Sequence, residues 1–455
     1  MTLVLGLGCS SAASPEDAIA AASVALADAG LDARDVDLVA TIDRLRAHPA
    51  PAALAARLGA PLVCYGAEEL DAVEVPTPSA GVRRHVGTAS VAEAAALLAA
   101  AGGRLLRPKR AAGTVTVAIA ESPSGRLRPR PSAVHGGASP LPIDLSASLN
   151  PLGPSPLALE AARAARLDRY PEPDAGTLRS AAAARHGVAE AAVVPVPGAA
   201  FGLWLAMAAL LSPGDHVVAL GPCFGEYRRS AEIAGARFTE APAWDLAGGP
   251  AMCVVANPGN PSGARIPAEE LRRTCAAHPG TRFLVDEAFA PFAPPGTSLL
   301  DEGPLPPNAL VVRSLTKELG LPGLRMGYLV APPAPAARLA GALPAWPLSA
   351  PSIAAAVAGM DDADHVRRGA EVARRHVAAL AEALRTRGLA PAPTDANYLL
   401  CEAPGLAAEL AGRGIAVRDC ASFGLQGSVR IAAPTVYGLR VVLAAIAGSS
   451  CPADT

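Results

Sequence analysis

One pattern recurs through the second half of this chain. Short apolar runs end abruptly in glycine or polar residues. Val193–Pro197 leads into Gly198, His216–Leu220 into Gly221-Pro222, and Cys253–Ala256 into Asn257-Pro258. Arg282–Val285 runs into Asp286, and Leu310–Ser314 into Lys317. Continuous apolar runs bounded by turn residues read as strands buried on both faces. Their repetition confines the chain to an open α/β sheet, where ligands gather outside the carboxyl ends of the strands. The polar turns all fall there.

The residues at those ends have a joint chemistry. Lys317 follows Ser314 by three residues and precedes Arg325 by eight. A lysine able to lose its proton bonds to an aldehyde. A small hydroxyl and a forked guanidinium suit a phosphate. Gly198-Ala199-Ala200 turns into a helix expected over Leu203–Leu211, and a helix start offers free N–H groups to a phosphate; an ordinary βα turn would look the same. Phe224 can stack on a flat ring or belong to the core. The rigid turn Asn257-Pro-Gly-Asn260-Pro261-Ser262-Gly263 can aim an amide N–H₂ at an oxyanion. Asp286 would keep a pyridine nitrogen protonated, which makes the ring an electron sink. Arg430 lies on an expected strand, and a substrate carboxylate would neutralise it through both oxygens. Together these parts read as a site for pyridoxal phosphate, with Lys317 and Asp286 catalytic and no metal.

Composition narrows the setting. The 455 residues suffice for two or three domains. Lys+Arg number 39 and Asp+Glu 41, so no charge excess favours nucleic acid or a membrane surface. The eight cysteines are scattered without a C-x-x-C pair, as expected of reduced thiols in the cytoplasm. There is neither a signal-peptide pattern nor an apolar run long enough for a membrane span. Residues 122–134 are polar and rich in proline, an expected connector between a unit at 1–121 and one at 135–455.

In the first unit, strands are expected at Thr2–Cys9, Asp37–Asp43, Pro61–Tyr65 and Thr114–Ile119. Ser14-Pro15-Glu16-Asp17 opens a helix that stops near Gly30. Ser90-Val-Ala-Glu93 opens another and has the form of a capping box. This is a small α/β layer domain. Gly6-Leu-Gly8-Cys9, Ala40-Thr41-Ile42-Asp43, Ala67-Glu68-Glu69-Leu70, Pro78-Ser79 and Gly87-Thr88-Ala-Ser90-Val91-Ala92-Glu93 resemble the C-terminal domain of the CbiG cobalamin-biosynthesis proteins, also found alone as CobE. The resemblance implies work near the step that opens a lactone of precorrin-5A, or its cobalt form, and expels a two-carbon unit. A corrinoid intermediate would be bound or converted there. Cys9, Asp43, His85 and Glu93 are the candidates for chemistry, although helix capping explains Glu93 and packing explains Cys9.

The second unit resembles fold type I, class I/II aminotransferases, chiefly through the N-P-x-N-P-S-G turn at Asn257–Gly263. The resemblance implies a mainly parallel large lobe over about 165–340 and a smaller α/β lobe from the remaining segments. It implies that Asn260 donates to the cofactor's phenolic oxygen and that Ser314 and Arg325 hold its phosphate. His135-Gly-Gly, Asn150-Pro-Leu-Gly153, Arg169-Tyr170-Pro-Glu-Pro173 and Arg418-Asp-Cys420-Ala-Ser-Phe-Gly-Leu are similar to threonine-phosphate decarboxylases of cobalamin synthesis. Phe289 stands where aminotransferases usually carry tyrosine, and Ala138 departs from the asparagine common in the decarboxylases. By this resemblance Arg430, Asn150, Arg418 and His135 contact the substrate, an amino acid phosphate. A homodimer is implied, with Tyr170 reaching the neighbour's cofactor phosphate. The expected reaction is decarboxylation of threonine O-3-phosphate to 1-amino-2-propanol O-2-phosphate. Transamination of the histidinol-phosphate type is the alternative. A third reading makes the fold a scaffold for a corrinoid-binding front domain.

Overall fold

The computed structural model describes residues 2–100, 103–122, 135–301 and 303–448. The expected connector residues 123–134, and Cys451, lie outside the described residues. The chain divides into two compact units.

The first unit is a five-stranded sheet of β1 (Thr2–Cys9), β2 (Val36–Ile42), β3 (Leu62–Tyr65), β4 (Arg104–Ala112) and β5 (Val115–Ser122), ordered β3-β2-β1-β5-β4. β1, β2 and β3 are parallel, and β5 and β4 are added antiparallel. The helix Val91–Ala99 packs on β1 so closely that a Cβ on Gly6 would lie 1.9 Å from the Ala92 carbonyl oxygen. Only glycine permits that approach. The helix Pro15–Asp28 has the full reciprocal cap: Asp17 N–H donates to Ser14 Oγ at 3.1 Å, and Ser14 N–H to Asp17 Oδ2 at 3.0 Å.

Two expectations are corrected here. Ser90 does accept from Glu93 N–H, but the Glu93 carboxylate does not close a capping box. It is fully buried, and its Oε1 accepts from Thr77 Oγ1 at 2.7 Å and Lys109 N–H at 3.0 Å. Glu93 thus ties a loop and β4 to its helix, because a buried carboxylate is drawn to donors that cannot reach water. Ser122 belongs to β5, where it pairs with Thr2, and not to the connector. The strand β4 had no sequence signal. Its run Arg-Leu-Leu-Arg-Pro-Lys-Arg is charged and contains proline, as suits an exposed sheet edge.

The second unit opens with β6 (Ile143–Leu145). Its main sheet comprises β7 (Val193–Val196), β8 (His216–Leu220), β9 (Arg237–Ala241), β10 (Met252–Ala256), β11 (Arg282–Asp286), β12 (Ala309–Ser314) and β13 (Gly327–Val330). The order is β7-β13-β12-β11-β10-β8-β9. Only β13 runs against its neighbours. A smaller sheet joins β14 (Tyr398–Glu402), β15 (Ile415–Asp419) and β16 (Ser428–Ala432) to β6, in the order β14-β16-β15-β6. The helix after Gly198 starts at Ala199, earlier than expected, and runs to Leu210. It is apolar on most sides and lies against the sheet, so no amphipathic break marked its start. No helix among the described residues is long and apolar enough to cross a membrane.

Candidate active site

A cavity of about 280 Å³ opens at the carboxyl ends of the main strands. Its lining includes Ala199, Ala200, Phe224, Asn260, Asp286, Ser314, Lys317, Arg325, Arg430 and His135, residues drawn from points almost 300 positions apart. β11 and β12 are adjacent parallel strands, which is how Asp286 and Ser314 meet.

Lys317 lies in the helical turn Leu315–Glu318 that follows β12. Burial, with the Arg430 and Arg325 cations behind it, pushes its ammonium down to about 8; Asp286 pulls the other way. An ammonium with that pKa gives up its proton far more readily than an ordinary lysine, as bonding to an aldehyde requires. Asp286 is buried, and desolvation raises its carboxyl above the ordinary aspartate range. Tyr227 Oη donates to its Oδ2 at 2.8 Å and Ala288 N–H to its Oδ1 at 3.0 Å, which together with Lys317 oppose that rise. A buried carboxylate oriented in this way suits a pyridinium N–H.

The end of the cavity near Arg325 is equally specific. Gly198 has φ +89°, and a Cβ there would lie 2.8 Å from Arg325 Nη2. The glycine therefore provides both the turn and the room for the guanidinium. Arg325 itself has φ +55° and donates to the Pro322 carbonyl. The hydroxyls of Ser314 and Thr316 are 2.8 Å apart, and both residues line the cavity. Two hydroxyls, a guanidinium and the helix start at Ala199-Ala200 match a phosphate dianion.

At the opposite side Arg430 is 6% exposed. Its Nη1 donates to Asn260 Oδ1 at 2.6 Å and its Nη2 to the Ser146 carbonyl at 2.7 Å, while Nε has no partner among the described residues. With its oxygen turned to Arg430, Asn260 keeps its amide N–H₂ for another acceptor. The guanidinium lies 5.0 Å from the centre of the Tyr398 ring. Phe289 lines the cavity edge-on to Tyr398 and presents no hydroxyl. His135 meets Glu226 at 3.0 Å and leans on Phe224.

Three expected site residues are not in the lining of this cavity, Tyr170 among them because it is expected at a second copy's site. Asn150 is buried beside the Leu315–Glu318 turn: its N–H donates to the Lys317 carbonyl at 3.0 Å and its Nδ2 to the Glu318 carbonyl at 2.8 Å. It fixes the backbone that carries the lysine. Arg418 pairs in register with Arg430 across β15 and β16, but its Nη2 donates to Ser422 and its guanidinium lies 5.4 Å from the Phe423 ring centre. Tyr170 is 79% exposed and stacks on Trp346. Sequence reasoning missed Tyr227, Thr316 and Tyr398. Tyr227 follows Phe224 by one helical turn and Thr316 adjoins Lys317, so spacing alone could have proposed both; Tyr398 carried no signal.

Residues 142–446 match the family described as aminotransferase class I and II, and residues 3–120 match the family described as cobalamin synthesis G C-terminus. A histidinol-phosphate aminotransferase of Erythrobacter litoralis is 33% identical over 344 residues, covering 70% of this chain and 93% of that protein. Among solved structures, the histidinol-phosphate aminotransferase of Clostridium acetobutylicum superposes with a TM-score of 0.62 at 21% identity, over 67% of this chain and 98% of that one. The L-threonine-O-3-phosphate decarboxylase of Porphyromonas gingivalis superposes with a TM-score of 0.55 at 25% identity, over 63% and 91%.

Proposed function

Since this chain belongs to the class I and II aminotransferase family, whose cofactor is pyridoxal phosphate, we propose that its second unit decarboxylates L-threonine O-3-phosphate to 1-amino-2-propanol O-2-phosphate and CO₂. The observation that carries this reading is the fusion itself. A cobalamin-synthesis unit occupies residues 3–120 of the same chain, and the resemblance of Arg418–Leu425 points to the decarboxylase of that route.

Pyridoxal phosphate, when bound, supplies an electron-withdrawing ring that stabilises negative charge at the substrate's Cα. Arg430 takes the substrate carboxylate through a guanidinium already fixed by Asn260 and Ser146. By the direction in which it holds that carboxylate, Arg430 would decide whether CO₂ or the Cα proton leaves. Asp286 would accept from the cofactor's pyridinium N–H and so keep that nitrogen protonated. Lys317, with an ammonium pKa near neutrality, then delivers a proton to Cα. His135 stands at the cavity wall for the substrate phosphate. The active form in this reading is a homodimer in which the exposed Tyr170 reaches the second copy's cofactor phosphate. The first unit binds or converts a corrin-ring intermediate.

A second reading, transamination of a phosphorylated amine such as histidinol phosphate, is favoured by the names of the curated relatives. The full chain incubated with threonine phosphate and no keto acid separates the two. CO₂ release supports decarboxylation; turnover that appears only when a keto acid is added sinks it.

A further inference from the structure

The larger cavity of the second unit, about 450 Å³, is not the catalytic one. Three pairs of consecutive residues link the two. Asp286, Ser314 and Lys317 line the catalytic cavity, while their chain neighbours Glu287, Arg313 and Glu318 form a buried ionic network outside it. Glu287 Oε2 accepts from Arg313 Nη1 at 3.1 Å, and its Oε1 from Leu299 N–H at 2.8 Å. Glu318 takes both Nη groups of Arg185, at 2.9 and 3.2 Å.

The lining of the larger cavity includes Arg313, Arg185, His186 and Ser298 but neither Glu287 nor Glu318. The cavity therefore meets the cationic side of both ion pairs, with the carboxylates behind. Arg313 is 6% exposed, and the side-chain hydrogen bond described for it goes from Nη1 to Glu287. Five N–H donors on a buried guanidinium call for more than one acceptor. His186 is neutral, pushed down to about 3 by burial and the adjacent arginines, so the ring adds no competing charge. From the helix Ala363–Thr386, Arg374 also reaches the cavity and makes no hydrogen bond or ion pair among the described residues. The acids in the lining, Asp301 and Glu371, lie at the more exposed rim, where Glu371 is already paired with Arg367.

We propose that this cavity is a second binding site, separate from the catalytic one, for a small carboxylate or phosphate anion held by Arg313 and Arg374. It is independent of the reaction proposed above.

Calorimetric titration of the cofactor-loaded full chain tests it, with inorganic phosphate and succinate as separate probes. One saturable site per chain is expected for at least one probe, and which of them binds identifies the anion class. Arg374→Ala, an exposed position that leaves the fold intact, should weaken that site about tenfold or more, the loss typical of one charge-assisted contact. Arg430→Met, which removes the catalytic carboxylate anchor, should leave it unchanged. Absence of saturable binding to either anion overturns the proposal. So does binding that disappears in Arg430→Met and persists in Arg374→Ala, since the anion would then occupy the catalytic cavity.

Discussion

The depressed pKa of Lys317 has a measurable cost in stability. In the cofactor-free chain, the fall from the ordinary lysine value of 10.5 to about 8 corresponds, at ~1.36 kcal/mol per pH unit, to about 3 kcal/mol of penalty for burying the ammonium. Below pH 8 both folded and unfolded chains carry the proton and the penalty is fully present. Between about 8 and 10.5 the folded chain has released the proton and the unfolded chain has not, so stability climbs with pH. Replacing Lys317 with methionine keeps much of the volume and removes the charge. The cofactor-free variant should therefore be more stable than the parent by about 3 kcal/mol at pH 7, with the gain shrinking as pH rises towards 10. All three tryptophans, Trp204, Trp244 and Trp346, belong to the second unit, so their fluorescence follows its urea unfolding alone. A variant no more stable at pH 7, or a gain that does not change between pH 7 and 10, would refute the depressed Lys317 pKa.

Three further outcomes are expected. Gly198→Ala forces a side chain into a backbone region reserved for glycine and against Arg325, at a cost of about 1–3 kcal/mol; equilibrium dialysis should show about tenfold weaker retention of the cofactor. Tyr227→Phe strips buried Asp286 Oδ2 of its only described donor, about 1–3 kcal/mol. Its carboxyl should rise further and cofactor affinity fall, read from the pH dependence of the bound cofactor's absorbance. Glu287→Gln leaves Arg313 buried without its counter-charge and should cost about 3–5 kcal/mol in the same fluorescence-monitored urea unfolding.

What could be read from the chain without coordinates was whatever local chemistry dictates. The strand ends of the main sheet, the Ser14 cap and the Asn257–Gly263 turn each rest on residues close in sequence. Lys317, Asp286 and Asn260 were legible because each follows an apolar run, and such runs end on one edge of a parallel sheet. What was not legible depends on distant partners. Asn150 looks like a turn residue, and nothing nearby reveals that it grips the backbone of Lys317 from 167 positions away. Glu93 satisfies a capping pattern, yet its carboxylate follows Thr77 and Lys109. β4 reads as a polar loop because an edge strand needs only one neighbour and tolerates charge. Tyr398 belongs to the smaller sheet, and its place beneath Arg430 is fixed only by the pairing of β14 with β16.

The back-to-back arrangement of residues 286/287, 313/314 and 317/318 has a bearing on how such an enzyme can be altered. Each short stretch serves two masters, so a substitution meant for the rear wall also nudges the reacting groups through one shared peptide bond. Activity screens will therefore tend to recover hits at positions outside the cavity lining, clustered one residue away from positions within it.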